Sequence, residues 1–102
     1  MREKLVSLEK AATITRDGDQ VIFNGGMDWT PMALLRELVR KGTKDLNTLG
    51  VVGGAMNLDF LVGAGATKTI ETCSFGFGSL SRVAPNYERY QKAGRVKMLD
   101  NT

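Results

Sequence analysis

The sequence alternates short, β-rich apolar runs with helical segments, and glycine-rich stretches follow three of its four apolar runs. This alternation constrains the fold strongly, because strands joined through helices form right-handed crossovers and a mostly parallel sheet. In such sheets ligands bind at the carboxyl ends of the strands. The sequence therefore predicts an α/β fold with glycine-rich segments gathered at one sheet edge. The predicted strands span residues 20–24, 46–52, 67–74 and 95–99.

Four helices are predicted around these strands. The clearest has Thr30 as its N-cap and Pro31 at its first helical position, and Gly42 closes it. Ser7 is predicted to cap the first helix, and the Asp17-Gly18-Asp19 segment is predicted to turn. The first strand, a continuous apolar run, is expected to be covered on both faces. The predicted helices span residues 8–15, 31–41, 57–62 and 85–93.

The totals fit a single domain over residues 1–102. No apolar run is long enough to cross a bilayer, and the first residues lead into no signal-peptide core, so we expect a cytoplasmic protein that binds no membrane. The net charge of +3 comes from cations near predicted helix ends without interleaved aromatic residues. This pattern favours solvated helix termini over a nucleic-acid surface.

Missing residue types exclude several chemistries. The chain has no histidine and a single cysteine, Cys73, so it cannot build a Ser-His-Asp or Cys-His site, an internal disulfide or the usual zinc sites. We expect no metal site and no tightly bound cofactor. Cys73 lies in an apolar run and is predicted to be a small buried residue.

The glycine pair Gly25-Gly26 separates the first strand from the clearest helix. Glycine lets another group approach the backbone, and a helix N-terminus points free N–H groups at an anion. The pair is equally consistent with a plain turn. It matches neither the dinucleotide-binding fingerprint nor the phosphate-binding loop of nucleoside triphosphatases.

The same region resembles the N-terminal signature of the family I coenzyme A transferases. That signature is an Asp-Gly turn, three apolar residues, a Gly-Gly-Phe segment, and a proline that opens the next helix. The similarity covers in effect the whole chain, and the order of segments resembles the α subunit of glutaconate-type CoA transferases. The matching segments are Asp17-Gly18, Val21-Ile22-Phe23-Asn24-Gly25-Gly26-Met27, Pro31-Met32-Ala33-Leu34, residues 39–46, residues 63–68 and residues 90–94; Met27 stands where the family has phenylalanine.

The resemblance implies a Rossmann-like three-layer α/β/α fold, of which this chain would form the N-terminal portion with about four strands. It implies that CoA moves between an acyl-CoA and a small carboxylic acid, the CoA thioester being a substrate. The family's catalytic glutamate belongs to the β subunit, in a motif that this chain lacks. No catalytic residue is therefore assigned here, and the isolated chain is expected to be inactive without its β partner in a hetero-oligomer.

The expected contribution of this chain is part of the wall of the acyl and CoA pocket. The first glycine loop would present backbone N–H groups to the thioester carbonyl or the acyl carboxylate. The later glycine segments would shape the pocket, although loops that simply turn and bury two aromatic rings explain them as well. The candidate binding residues are Asn24, Gly25, Gly26, Met27, Gly53, Gly54, Phe75 and Gly76.

Two alternatives remain open at this point. The ring-opening CoA-thioester hydrolases resemble the same α subunit but attack their substrates with water. A non-catalytic module that binds a nucleotide or a sugar phosphate is the other alternative, because sugar-phosphate isomerases share this type of fold.

Overall fold

The computed structural model describes residues 5–23, 30–51, 54–72, 75–77 and 79–100. The described elements alternate as the sequence predicts, with one short helix before the first strand. Their bounds are α1 Leu8–Ala12, β1 Gln20–Phe23, α2 Met32–Lys41, β2 Leu46–Gly50, α3 Met56–Gly63, β3 Thr67–Thr72, α4 Pro85–Lys92 and β4 Lys97–Asp100.

The four strands form one parallel sheet in the order β1-β2-β3-β4. The register aligns Phe23 with Gly50 and Thr72 with Asp100, so the carboxyl ends of the strands lie along one edge. This confirms the predicted α/β class and the parallel sheet. Each crossover carries one helix, and no helix among the described residues is long and apolar enough to span a membrane.

Burial alternates along the strands, as expected when successive side chains point to opposite faces. Val21, Ile70 and Met98 lie on one face with the register partner Thr48, and this face packs against the core residues of the helices. The opposite face is open in the described residues, where Ile22 is 62% exposed. The described chain thus supplies two layers of the predicted three-layer fold: one sheet and one layer of helices. The main core side chains are Phe23, Leu35, Leu38, Leu58, Leu61, Val62 and Ile70.

The expectation that β1 is covered on both faces is wrong for the described chain, because Ile22 points away from the helices. Sequential right-handed crossovers in one direction place every connecting helix on the same side of the sheet. The continuous apolar run therefore marks a strand that the described helices cover on one side only.

Several predicted ends shift by a few residues. α1 ends at Ala12 rather than at residue 15, and β4 begins at Lys97 rather than at residue 95. Ser7 caps α1 as predicted, since its Oγ accepts a hydrogen bond from the Lys10 amide at 3.2 Å. Gly42 closes α2 in the left-handed conformation, also as predicted. The predicted strand residues 24, 52, 73 and 74, including Cys73, lie outside the described part of the chain.

Candidate ligand-binding edge of the sheet

Three helices begin at the carboxyl edge of the sheet: α2 after β1, α3 after β2 and α4 after β3. Within the described chain none of their N-cap residues supplies a side-chain cap, in contrast to that of α1. Uncapped helix N-termini attract anions because their first N–H groups have no partner within the helix. Asn57 and Asp59 accept hydrogen bonds from amides at the starts of α3 and α4, so within the described chain the N-terminus of α2 is the one that best suits a carboxylate or a thioester oxygen.

Thr30 does not cap α2, and that prediction is wrong. Pro31 occupies the N-cap position, and the Thr30 carbonyl, rather than its side chain, accepts a hydrogen bond from the Met32 amide at 2.9 Å. The Thr30 hydroxyl is buried and has no hydrogen-bond partner among the residues that the structure describes. Pro31, at the N-cap position, has φ −80° and ψ 59°, outside the extended region that an N-cap residue typically adopts.

Gly54, Phe75 and Gly76 come together at this edge, beyond the ends of β2 and β3. Gly54 pairs with Phe75 in a parallel bridge, and the Gly76 amide donates to the Gly54 carbonyl at 3.1 Å. Three of the predicted site residues are therefore neighbours. The other five, Asn24, Gly25, Gly26, Met27 and Gly53, lie outside the described residues.

Phe75 is a buried part of this edge. Its ring stacks on Tyr87 of α4, with ring centroids 5.1 Å apart and planes 27° apart. Its carbonyl accepts a hydrogen bond from the Ala84 amide at 3.2 Å. Stacking at this distance is a favourable aromatic geometry. The Phe75 ring therefore packs against α4 beneath the edge and does not project into solvent.

Asn57 fixes the turn that leads from Gly54 into α3. Its side chain is fully buried, and its Oδ1 accepts hydrogen bonds from the amides of Ala55 at 3.2 Å and Leu58 at 2.8 Å. A single buried oxygen thus satisfies two backbone donors at the start of the helix. An asparagine two residues into a helix is not by itself a visible sequence signal, so this role was not predicted.

Asp59 is a second buried polar residue whose role was not predicted from the sequence. It lies in α3 at 2% exposure, and its carboxylate accepts hydrogen bonds from the amides of Asn86 and Tyr87, at 3.2 Å and 2.8 Å. These amides belong to the first turn of α4. An acidic residue in the first turn of α3 is favourable for that helix alone, so its partners 27 and 28 positions away leave no local pattern.

A separate groove of about 310 Å³ lies between α1 and α2. Glu37 is buried there and pairs with Arg40 at 2.6 Å. Lys41 donates to the carbonyls of Ala12 at 2.7 Å and Thr15 at 2.5 Å. The Glu37–Arg40 pair lies within α2, whereas the Lys41 hydrogen bonds join α2 to α1 and to the segment that follows it, at the end of α2 remote from the carboxyl edge. Among the described residues, no group of three or more Cys, His, Asp or Glu side chains could hold a metal ion.

The fold and its glycine-containing edge define the chain as an α/β protein with a parallel sheet, whose helix N-termini meet at the carboxyl ends of the strands. The coenzyme A transferase family model matches residues 5–94, so the chain belongs to that family. This confirms the family resemblance of the sequence.

Two curated relatives are A subunits of CoA transferases. The chain is 29% identical over 99 residues to the A subunit of glutaconate CoA-transferase from Acidaminococcus fermentans, covering 95% of this chain and 31% of the relative. It is 32% identical over 93 residues to the A subunit of 3-oxoadipate CoA-transferase from Pseudomonas knackmussii, covering 87% of this chain and 32% of the relative. The chain thus spans about a third of the length of these relatives.

Solved structures show the same fold. Glutaconate coenzyme A-transferase from Acidaminococcus fermentans superposes with a TM-score of 0.88 at 27% identity, covering 98% of this chain and 32% of that one. A cysteine-to-serine variant of the decarboxylase AibA/AibB superposes with a TM-score of 0.76 at 28% identity, covering 95% of this chain and 38% of that one. The fold therefore occurs both in a transferase and in a decarboxylase.

Proposed function

We propose that this chain is part of the A subunit of an acyl-CoA:carboxylate CoA-transferase. The observation that carries the proposal is the family match over residues 5–94, together with two A-subunit relatives that each cover most of the chain. In this proposal a B subunit supplies the glutamate that takes up CoA as a thioester. The present chain supplies part of the pocket in which the acyl group and CoA meet that glutamate.

The geometry of the carboxyl edge supports this role. α2 directs an N-terminus that has no side-chain cap among the described residues toward the edge, where a carboxylate or a developing oxyanion is stabilised. We assign the binding of the acyl end to Asn24, Gly25, Gly26 and Met27. Gly54 and Gly76 shape the neighbouring wall, because the Gly76 amide already donates to the Gly54 carbonyl.

The test is CoA transfer from acetyl-CoA to glutaconate and other dicarboxylic acids, measured with the chain alone and with a CoA-transferase B subunit. We expect no turnover by the chain alone. We expect the two proteins together to give turnover and, on borohydride treatment, a reduced glutamate on the B subunit. Robust transfer by the isolated chain would contradict the assignment of the nucleophile to the partner.

Three other outcomes separate the alternatives. Release of free acid and CoA without glutamate modification indicates the hydrolase branch. Release of carbon dioxide from a dicarboxylic acyl-CoA indicates a decarboxylase, the activity named for one of the solved structures of this fold. Calorimetry with CoA, acetyl-CoA, ADP and a pentose phosphate covers the remaining case, in which tight binding of the pentose phosphate alone indicates a sugar-phosphate module.

The glycine loop is tested in the same calorimetric assay. We expect Gly25→Val and Gly26→Val each to weaken acetyl-CoA binding by about tenfold or more, because a branched side chain fills the space that glycine leaves beside the backbone. Ala64→Val is the control for added methyl groups, since Ala64 is exposed at the end of α3 remote from the carboxyl edge. If all three variants bind acetyl-CoA with equal affinity, the glycine loop is not part of the binding site.

A further inference from the structure

The buried carboxylate of Asp59 replaces a cap that α4 lacks. Ala84 occupies the N-cap position of α4 and offers no side-chain acceptor. The two oxygens of Asp59 instead accept from the amides of Asn86 and Tyr87, and the Asp59 carbonyl accepts from the Asn86 side chain at 3.4 Å. A negative charge at a helix N-terminus is favourable, and Asp59 supplies one from a neighbouring helix in addition to Glu88 in the first turn of α4 itself. The first turn of α4 is thereby fixed relative to α3.

The same turn of α4 holds Phe75 in two ways. Tyr87, whose amide binds Asp59, stacks its ring on Phe75, and Ala84 donates its amide to the Phe75 carbonyl. A shift of the first turn of α4 would move both the ring contact and the backbone contact of Phe75. Phe75 in turn pairs with Gly54 and precedes Gly76, whose amide binds the Gly54 carbonyl.

These contacts form a closed chain of interactions that begins and ends at the carboxyl edge of the sheet. Gly54 leads into α3, Asp59 of α3 binds α4, and α4 holds Phe75 against Gly54. A serine or aspartate at position 84 would cap α4 locally, but it would not connect α4 to α3. The cap supplied from α3 therefore adds a constraint on the edge that a local cap does not.

We propose that Asp59 is a positioning residue for acyl-CoA binding, which sets the Gly54–Gly76 edge by fixing the first turn of α4 against α3. The proposal rests on the proposed function for the identity of the ligand. The geometric part concerns only the described residues and is measurable without a ligand.

The experiment compares Asp59→Asn, Asp59→Ala and the double variant Asp59→Ala/Ala84→Ser in the full 102-residue chain. Asparagine keeps one acceptor oxygen and has nearly the same size, so this variant serves if the alanine variant does not fold. Serine at position 84 supplies a local cap without the connection to α3. Glu88→Gln is the matched control, because Glu88 is an exposed carboxylate of α4 that pairs with Lys92 within the same helix.

The first readout is amide hydrogen exchange at Gly76, with Leu46 as a remote reference whose amide binds the Ala66 carbonyl at 2.9 Å. We expect Gly76 to exchange about tenfold faster in Asp59→Asn and in the double variant, with Leu46 unchanged, since local opening need not involve the whole domain. Glu88→Gln is expected to match the parent chain. The proposal is overturned if Gly76 is unaffected, if Leu46 accelerates equally, or if Ala84→Ser restores the parent rate.

The second readout is acetyl-CoA affinity by calorimetry. We expect Asp59→Asn to weaken acetyl-CoA binding by about fivefold or more. In urea unfolding, we expect the local cap of the double variant Asp59→Ala/Ala84→Ser to bring its midpoint back toward that of the parent chain. Equal affinity of the parent and Asp59→Asn would overturn the positioning role. If the parent chain binds no acetyl-CoA although Gly76 exchange responds as expected, the proposed function fails while the structural role of Asp59 stands.

Discussion

Gly54 and Gly76 have a reason to be glycine that lies within the chain. A Cβ on Gly54 would collide with the side chain of Leu58. A Cβ on Gly76 would collide with the carbonyl oxygen of Arg82 and lie 3.3 Å from that of Ser81. For these two glycines the missing side chain makes room for close packing of the chain itself. Their contact with a ligand stays a prediction.

The two collisions differ in kind, which leads to a prediction about stability. We expect Gly76→Ala to lower the free energy of unfolding by about 1–3 kcal/mol, because the obstacle is backbone in a loop closed by hydrogen bonds. Gly54→Ala is expected to lower the free energy of unfolding by less, about 1 kcal/mol, because the atom nearest the added Cβ is the end of the Leu58 side chain. Urea unfolding of both variants measures the difference.

The slope of each unfolding curve is the internal control, since an unchanged slope shows that the two variants expose the same surface on unfolding. If Gly54→Ala has the lower urea midpoint instead, the backbone of Ser81 and Arg82 adjusts to an added methyl group more easily than the buried side chain of Leu58 does.

Single residues were predictable where the signal is local. Ser7 and Gly42 act as the sequence predicts, because an N-cap and a left-handed C-cap depend on a few neighbouring residues. Asn57 and Asp59 were missed. The capping role of Asp59 depends on partners more than 25 positions away, and that of Asn57 depends on burial that its neighbours in the sequence do not indicate.

At the level of elements, every predicted helix and strand exists among the described residues, and the differences lie at their ends. α1 shows why. The helical pattern continues past Ala12, but Thr13 donates its hydroxyl to the Lys10 carbonyl at 2.6 Å, and Lys41 of α2 binds the carbonyls of Ala12 and Thr15. Side-chain donors from within and outside the segment take the carbonyls that a longer helix would use. The contact from α2 is invisible in a local window.

The Lys41 contact yields a prediction for this pair of helices. We expect Lys41→Met to lower the free energy of unfolding by about 1 kcal/mol, because methionine keeps the apolar stem but loses both hydrogen bonds and the favourable charge at the end of α1. Tryptic cleavage after exposed Arg16 should also become faster, since the segment that follows α1 is held less firmly.

Lys44→Met is the matched control, because the backbone of Lys44, and not its side chain, provides its hydrogen bonds to Asp17 and Gly18. We expect this variant to unfold and to be cleaved after Arg16 like the parent. If Lys41→Met behaves the same way, the two hydrogen bonds contribute nothing to holding α1.

At the level of the whole molecule, the two faces of the sheet differ. Ile22, Leu49, Glu71 and Leu99 are aligned across the four strands on the open face, and the neighbouring row consists of Gln20, Asn47, Thr69 and Lys97. The row that contains Ile22 is apolar apart from the Glu71 carboxylate, and the row that contains Gln20 is polar. The sequence predicted the parallel sheet, but an apolar strand residue reads as buried whichever side is covered, so the open face could not be predicted.

The open face leads to the last prediction. Exposed apolar surface on a sheet whose outer strands β1 and β4 pair on one side only within the described chain favours association between chains. We expect the 102-residue chain to associate increasingly with concentration in sedimentation velocity experiments, and Ile22→Thr/Leu99→Thr to reduce this association. The free energy of unfolding should change by less than about 1 kcal/mol, because threonine suits a strand and both positions are partly solvated.

Ile14→Thr is the matched control for this experiment. Ile14 is 79% exposed, more than Ile22, but it follows α1 on the helical side of the sheet. If exposed apolar area alone drives association, Ile14→Thr will reduce it as much as the double variant does, and the open face has no special role. If the sheet face is the cause, Ile14→Thr will sediment like the parent, because Ile14 belongs to no row of residues aligned across neighbouring strands.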